Sequence, residues 1–168
     1  DTGFIESDDA RFRVHDTQAP LHGVIIHRGV LEYGRLTEGA LVTGHVDDAR
    51  RDRVRANHTG THLLHRALRN VVGERARQAG SLVTPDYLRF DYPADRALTD
   101  AELDATENEV QRAIRANLKV TVAEMTMKEA VDAGADAFFD EKYGERVRTV
   151  QMESYSHELC GGTHCTAT

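Results

Sequence analysis

Residues 57–65 read Asn-His-Thr-Gly-Thr-His-Leu-Leu-His, and they open a helical pattern. Apolar side chains follow at a spacing of three or four residues, at Leu64, Leu68, Val71 and Val72. This spacing places them on one face of an amphipathic helix. Asn57 or Thr59 has a side chain suited to capping the first turn. The pattern therefore predicts a helix over residues 57–78.

On the N-terminal side of that helix, short β-like runs alternate with turns that contain glycine. The runs are residues 12–14, 23–26, 29–31 and 41–43. Strands this short, spaced by Gly and Asp, are typical of part of a small antiparallel barrel. We therefore expect residues 1–50 to form a partial β-barrel-like segment, distinct from residues 51–168.

On the C-terminal side, helical and strand patterns are mixed. Thr99 and Glu102 form a capping-box pattern, and the helix after them is expected to bury Leu103, Val110, Ile114 and Leu118. Strands are predicted at 87–92, 120–125 and 146–152, with a short helix at 127–133, and residues 156–162 are expected to lead into a turn. Helices against an antiparallel sheet define an α+β fold. We expect a small β-barrel-like N-terminal segment followed by an antiparallel sheet with packed helices.

The charge balance limits the kinds of partner that the chain can hold. Its 168 residues carry a net charge of −7, which argues against a protein that coats duplex nucleic acid with basic side chains. A domain that handles only the tip of an RNA remains compatible with that charge. One local basic cluster, Arg50, Arg51, Arg53 and Arg55, is expected to be a solvated loop or strand edge, with a phosphate contact as the alternative.

The chain lacks the signals of a secreted or membrane protein. No apolar run approaches the roughly 18 residues that a membrane span needs, and the first residues do not form a signal peptide. There is no initiator Met, so we expect an excised piece of a longer protein. Cys160 and Cys165 are too few for a secreted disulfide scaffold. A reduced, cytoplasmic protein that uses one thiolate for a metal is favoured.

Two pairs of residues have the spacing of metal half-sites. His58 and His62 lie four apart on the predicted helix, so their imidazoles project from the same face. No Glu stands between them, which disfavours the His-Glu-x-x-His protease chemistry. Cys160 and His164 are also four apart, across two glycines that allow a tight turn. Together they form a His₃Cys set suited to zinc.

Alternatives to this ligand set remain open. The two histidines of the helix could be structural, and Cys160 could be a buried thiol beside a flexible loop. His65 could compete as a ligand, but its position nearly two turns from His58 favours a satisfied core histidine. His157 and Cys165 are treated as bystanders, although Cys165 could replace Cys160 if the turn has another shape.

Several linked motifs resemble one family. The stretch 57–65 is similar to the His motif of alanyl-tRNA synthetase editing domains and of their free-standing relatives. Gln-Ala-Gly-Ser-Leu-Val at 78–83, Leu-Arg-Phe-Asp at 88–91, Glu-Lys-Tyr-Gly at 141–144 and Glu-Leu-Cys-Gly-Gly-Thr-His at 158–164 follow in the family's order. Threonyl-tRNA synthetases share a related fold but match less well. Gly60 and Cys165 depart from the family, which often has Ala and an aliphatic residue there.

The resemblance implies hydrolysis of the ester that joins serine or glycine to the tRNA for alanine. It implies zinc held by His58, His62, Cys160 and His164, with residues 51–168 as the zinc-containing editing domain. Its partners would be the acceptor end of that tRNA and the remainder of an ATP-dependent alanine–tRNA ligase.

Gln78 and Glu158 are the candidate catalytic groups. Whether the zinc activates water or orients the tRNA end stays open, because four protein ligands describe a closed structural site. The alternatives are a structural zinc module that binds RNA and a zinc hydrolase of small esters or amides.

Overall fold

The computed structural model describes residues 1–21, 23–136 and 145–168. The chain divides into two units, Asp1–Asp52 and Arg53–Thr168. The motif at 141–144 lies outside the described residues. Within them, no helix combines the length and the apolar character needed to cross a membrane.

The first unit contains one antiparallel sheet of four strands. They are β1 (Gly3–Ser7), β2 (Ala10–Leu21), β3 (Val24–Tyr33) and β4 (Thr43–Val46), in the order β3-β2-β1-β4. Among the described residues β3 and β4 do not pair with each other, so the sheet is open and not a closed barrel.

The strands of this sheet are longer than the sequence pattern indicates. The runs 23–26 and 29–31 belong mostly to one strand, β3, because Gly29 is not in a turn. A Cβ at Gly29 would lie 1.7 Å from the Arg13 carbonyl oxygen of the neighbouring strand. Glycine is required there because the two backbones approach closely. The interpretation of Gly29 as a turn residue is therefore wrong.

Helix α1 covers Asp48–Val72 and carries the His motif. The predicted start and end, residues 57 and 78, are both wrong. The Asp47 carboxylate accepts a hydrogen bond from the Arg50 backbone N–H at 3.0 Å, which caps the helix earlier. Gly73, at φ +93°, ends it. The basic cluster at 50–55 therefore lies on a helix and not in a loop or strand edge.

The second unit adds a hairpin, two helices and a three-stranded sheet. The hairpin is β5 (Gly80–Val83) and β6 (Leu88–Asp91), and the helices are α2 (Asp100–Ala116) and α3 (Met127–Asp132). The sheet is antiparallel, and its strands are β7 (Val120–Thr126), β8 (Arg146–Met152) and β9 (Ser156–Leu159), in that order. The α+β class is confirmed, and residues 156–159 form a strand that leads into the expected turn.

The capping box that starts α2 is confirmed, but its predicted buried face is only partly right. Leu103 and Ile114 are 51% and 42% exposed, while Thr106 and Ala113 are buried. Of these two, Ala113 belongs to the core cluster of Leu63, Ala113, Val120, Val150 and Met152. Val110 and Leu118 pack against this cluster as predicted, whereas Leu103 and Ile114 lie outside it.

Candidate metal centre

Helix α1 supplies two of the predicted ligands. His58 and His62 are one turn apart, and their rings stack with centroids 5.4 Å apart and planes within 16°. Thr61, between them, donates its hydroxyl to the Asn57 carbonyl at 2.8 Å. The helix therefore presents both imidazoles on one side, as their spacing predicts.

The turn that follows β9 supplies the other two. The Cys160 sulfur lies 3.4 Å from His58 Nε2 and 3.3 Å from His164 Nε2. The Gly162 backbone N–H donates to the same sulfur at 3.4 Å, which curls the turn around the thiolate. One ligand atom from each of His58, His62, Cys160 and His164 lies within 4.8 Å of all the others. The structure brings together the four ligands that the sequence predicts.

The donor set and its burial fit a zinc ion. Three imidazole nitrogens and one thiolate are a common zinc set. His62 Nε2 is buried and has no hydrogen-bond partner among the described residues, an arrangement that is costly unless a ligand is bound. Cys165 is not part of the cluster, and its backbone N–H donates to the Thr59 hydroxyl at 3.1 Å.

A buried carboxylate lies behind the ligands. Glu158, which is 3% exposed, places Oε2 2.5 Å from His62 Nδ1. Its Oε1 lies 3.1 Å from His65 Nδ1 and accepts a hydrogen bond from the Ser156 hydroxyl at 3.0 Å. A carboxylate bonded to the far nitrogen of a ligand histidine fixes the ring's tautomer and orientation. His65 is 1% exposed, and its Nδ1 contacts Glu158, so it lies in the core as predicted.

Some supporting residues were missed from the sequence. Thr59 Oγ1 lies 3.4 Å from His164 Nδ1, so it supports that ligand from behind. Ser156 supports Glu158, and the Arg148 guanidinium donates to the Cys160 carbonyl at 2.6 Å. The alternation Ser156-His157-Glu158, which puts the hydroxyl and the carboxylate on the same face of a strand, was the one signal that could have identified a partner.

The electrostatics of the cluster favour a Cys160 thiolate beside a protonated His62 when no metal competes. Burial alone would raise the pKa of Cys160, but hydrogen bonds from His164 and His58 lower it to about 3. Burial alone would lower the pKa of His62, but Cys160 and Glu158 raise it to about 10. Burial alone would raise the pKa of Glu158, but its hydrogen bonds with His62 and His65 lower that pKa to about 2. A cation in the cluster would take the place of these protons.

The cluster opens onto a cavity of about 480 Å³. The candidate Gln78 lines this cavity, and its side-chain N–H donates to the Ser81 hydroxyl at 3.0 Å. The other lining residues come from α1, β8 and the turn after β9: His58, Thr61, His62, Arg146, Val147, Arg148, Glu158, Leu159, Cys160, Gly161 and Gly162. Gln78 and Glu158 therefore border the same space as the ligands.

A larger cavity of about 820 Å³ lies elsewhere in the second unit. It contains none of the four ligands, and its charged groups pair with one another, as in Arg75–Asp95 and Arg96–Glu102. We assign the functional site to the smaller cavity, because buried metal-ligating groups converge there.

Comparison with known proteins identifies relatives along the whole chain, although no family model matches it. The alanine–tRNA ligase of Anaeromyxobacter sp. (strain Fw109-5) is 46% identical over 168 residues, which is 100% of this chain and 18% of the relative. That of Desulforudis audaxviator is 45% identical over 168 residues, 100% of this chain and 19% of the relative. That of Sorangium cellulosum is 47% identical over 167 residues, 99% of this chain and 18% of the relative.

Fold and site together define an α+β domain built around a His₃Cys cluster. This domain is homologous, along its whole length, to one segment of the alanine–tRNA ligases, which confirms the resemblance predicted from the motifs. The chain spans 18–19% of the length of these three relatives.

Proposed function

We propose that the chain hydrolyses mischarged tRNA(Ala), releasing serine or glycine, as the editing part of an ATP-dependent alanine–tRNA ligase in the cytoplasm. Water and the aminoacyl ester give the free amino acid and the 3′-terminal hydroxyl of the tRNA. The observation that carries the proposal is a buried His₃Cys cluster on a cavity, in a chain homologous to one segment of alanine–tRNA ligases.

Such a reaction answers a known limit of molecular recognition. A pocket that activates alanine cannot strongly reject glycine, because one missing methyl group changes binding by only about 1–3 kcal/mol. A small added hydroxyl, as in serine, is also poorly excluded. A second, hydrolytic site removes the errors that binding alone leaves.

The cluster residues would hold zinc, and the metal would supply a fixed positive charge beside the ester. Gln78 would bind the substrate, because its N–H donates to Ser81 and its amide oxygen has no partner among the described residues. That oxygen can accept a hydrogen bond from the ammonium or hydroxyl group of a seryl ester.

In this proposal, Glu158 does not transfer a proton to or from the substrate. Both of its oxygens are engaged, by His62 and by His65 with Ser156. The carboxylate therefore acts through His62, whose Nε2 it directs into the ligand cluster. This makes Glu158 a positioning residue.

The test measures zinc content and deacylation on the same samples. The zinc-loaded chain is given tRNA(Ala) charged with serine, glycine or alanine, and we expect the first two to be hydrolysed and the third spared. Cys160→Ala should lose the zinc and the activity, whereas Cys165→Ala, with its sulfur outside the cluster, should keep both. Equal zinc loss in the two variants would refute the assigned sulfur.

One observation supports a second candidate function. Four protein ligands around one metal are typical of structural zinc sites, so a zinc-stabilised RNA-binding module without turnover is the alternative. Zinc-dependent tRNA binding without hydrolysis of any of the three charged tRNAs would favour it.

A further inference from the structure

Strand β8 brings two arginines to the cavity beside the metal cluster. Arg146 and Arg148 are two residues apart on the strand, so their side chains leave the same face, and both line the cavity. The candidate functional groups of the chain are histidines, a cysteine, an amide and a carboxylate, and none of them explains these two cations.

Within the part of the chain that the structure describes, neither arginine forms an ion pair, and Arg146 interacts with the Glu129 carboxylate only through longer-range electrostatics. Many other arginines form ion pairs, for example Arg13 with Glu32 and Arg75 with Asp95. Arg146 instead donates to the carbonyl of Glu124 at 3.2 Å, and Arg148 to the carbonyl of Cys160 at 2.6 Å. Glu124 lies opposite Arg148 in the strand pairing, yet its carboxylate makes no ion pair with either of them.

The carboxylate that lines the cavity cannot balance this charge either. Glu158 is occupied by His62 on one oxygen and by His65 and Ser156 on the other. In a chain whose net charge is −7, the two arginines therefore place positive charge on the β8 side of the cavity. Such a site favours an anionic ligand.

Arg148 is also held in place for binding. The Cys160 backbone N–H donates to the Arg148 carbonyl at 3.0 Å, and the Arg148 guanidinium donates to the Cys160 carbonyl. One bond through the backbone and one through the guanidinium therefore fix Arg148 against the turn that carries the candidate ligand Cys160. A guanidinium has five N–H donors in a planar arrangement that matches phosphate geometry. The bond to the Cys160 carbonyl uses one of them, so the other donors are available to a ligand.

We propose that Arg146 and Arg148 bind the phosphodiester next to the 3′-terminal nucleoside of the RNA substrate. This inference rests on the proposed function. An aminoacyl ester has no free carboxylate and its amino group is cationic, so the backbone phosphate is the anion nearest to the reacting bond. Holding that phosphate one nucleotide from the ester places the ester beside the ligand cluster.

The test separates phosphate binding from hydrolysis. Binding of cytidylyl-adenosine, which has one phosphodiester, is compared with binding of adenosine, which has none, to the zinc-loaded chain. We expect wild type to prefer the dinucleotide by about tenfold or more, the scale of a charged hydrogen bond. Arg146→Ala should remove most of that preference, and Arg146→Lys should keep part of it.

The matched control is Arg115→Ala, the same charge change at an exposed position on α2. It should bind both ligands as wild type does. The logarithmic salt dependence of dinucleotide binding should fall by about 0.7 in Arg146→Ala, the value for one phosphate contact on a single strand. Arg146 is the test position, because replacing Arg148 would also disturb Cys160.

If wild type, Arg146→Ala and Arg115→Ala all prefer cytidylyl-adenosine over adenosine to the same extent, the proposed phosphate site is wrong. A wild type that binds adenosine as tightly as the dinucleotide would overturn it too. Arg146-dependent binding without deacylation of seryl-tRNA would reject the proposed hydrolysis and keep the phosphate site. The two ideas therefore fail in distinguishable ways.

Discussion

Gly162 provides the sharpest steric test of the metal centre. A Cβ added at this position would lie 1.9 Å from His58 Cε1 and 2.4 Å from His58 Nδ1. Carbon atoms in contact normally sit about 3.5–4.0 Å apart. In Gly162→Ala the imidazole would therefore have to retreat by about 1.6 Å, or the turn would have to move away from helix α1.

The size of that displacement sets the expected loss of zinc. A metal–ligand distance is tolerant to about 0.2 Å, so a shift of this size removes His58 from the coordination sphere. Changing a residue that only supports a ligand costs about 10–100-fold in metal affinity. We expect more than about 100-fold from Gly162→Ala, because a ligand itself is displaced.

The neighbouring glycine is the matched control. A Cβ at Gly161 would meet no atom within 4 Å. Neither glycine has a left-handed φ, so alanine is sterically allowed by the backbone at both positions. Gly161→Ala and Gly162→Ala thus make the same chemical change in the same turn, and only the second should disturb His58.

The assay is a competition titration with a coloured zinc chelator, followed by deacylation of seryl-tRNA(Ala). Wild type and Gly161→Ala should hold zinc with similar affinity, and Gly162→Ala should release it to the chelator. If Gly162→Ala binds zinc as tightly as Gly161→Ala, then His58 is not a ligand in this geometry, and the reasoning is refuted.

Two further predictions concern carboxylates. Glu158→Gln removes the charge that orients a ligand histidine, so zinc affinity should fall about 10–100-fold, and an unchanged affinity in the same chelator titration would contradict the positioning role. Hydrogen bonds from Arg96, and then from the helix cap, lower the pKa of Glu102 below its ordinary 4.5. Its stabilisation is thus complete above that pH and is lost as the pH falls through the lower folded value. The difference in melting temperature between wild type and Glu102→Gln should shrink in acid, and a constant difference would refute this.

Features that depend on residues close in the chain could be predicted from the sequence. The Thr99 and Glu102 pattern marks the start of α2, because a capping box is made within four residues. The His58/His62 spacing places two candidate ligands side by side, since a helix repeats every 3.6 residues.

Errors in the predicted fold came from signals with two meanings. Gly29 resembles a turn residue, but it is required by the backbone of the neighbouring strand. Leu103 and Ile114 fit an apolar helical face, yet the helix contributes Ala113 and Val110 to the core cluster instead.

The sequence by itself determined the fold class, and it predicted four candidate ligand residues grouped into two local pairs. Only the tertiary structure decided that both pairs meet at one point. It also decided that Glu158 bonds His62 and His65, and that the Arg148 guanidinium donates to the Cys160 carbonyl. The physical reason is distance along the chain. The carboxylate and its histidines are 93 and 96 residues apart, and no local periodicity or propensity specifies which side chains a strand will place against a remote helix.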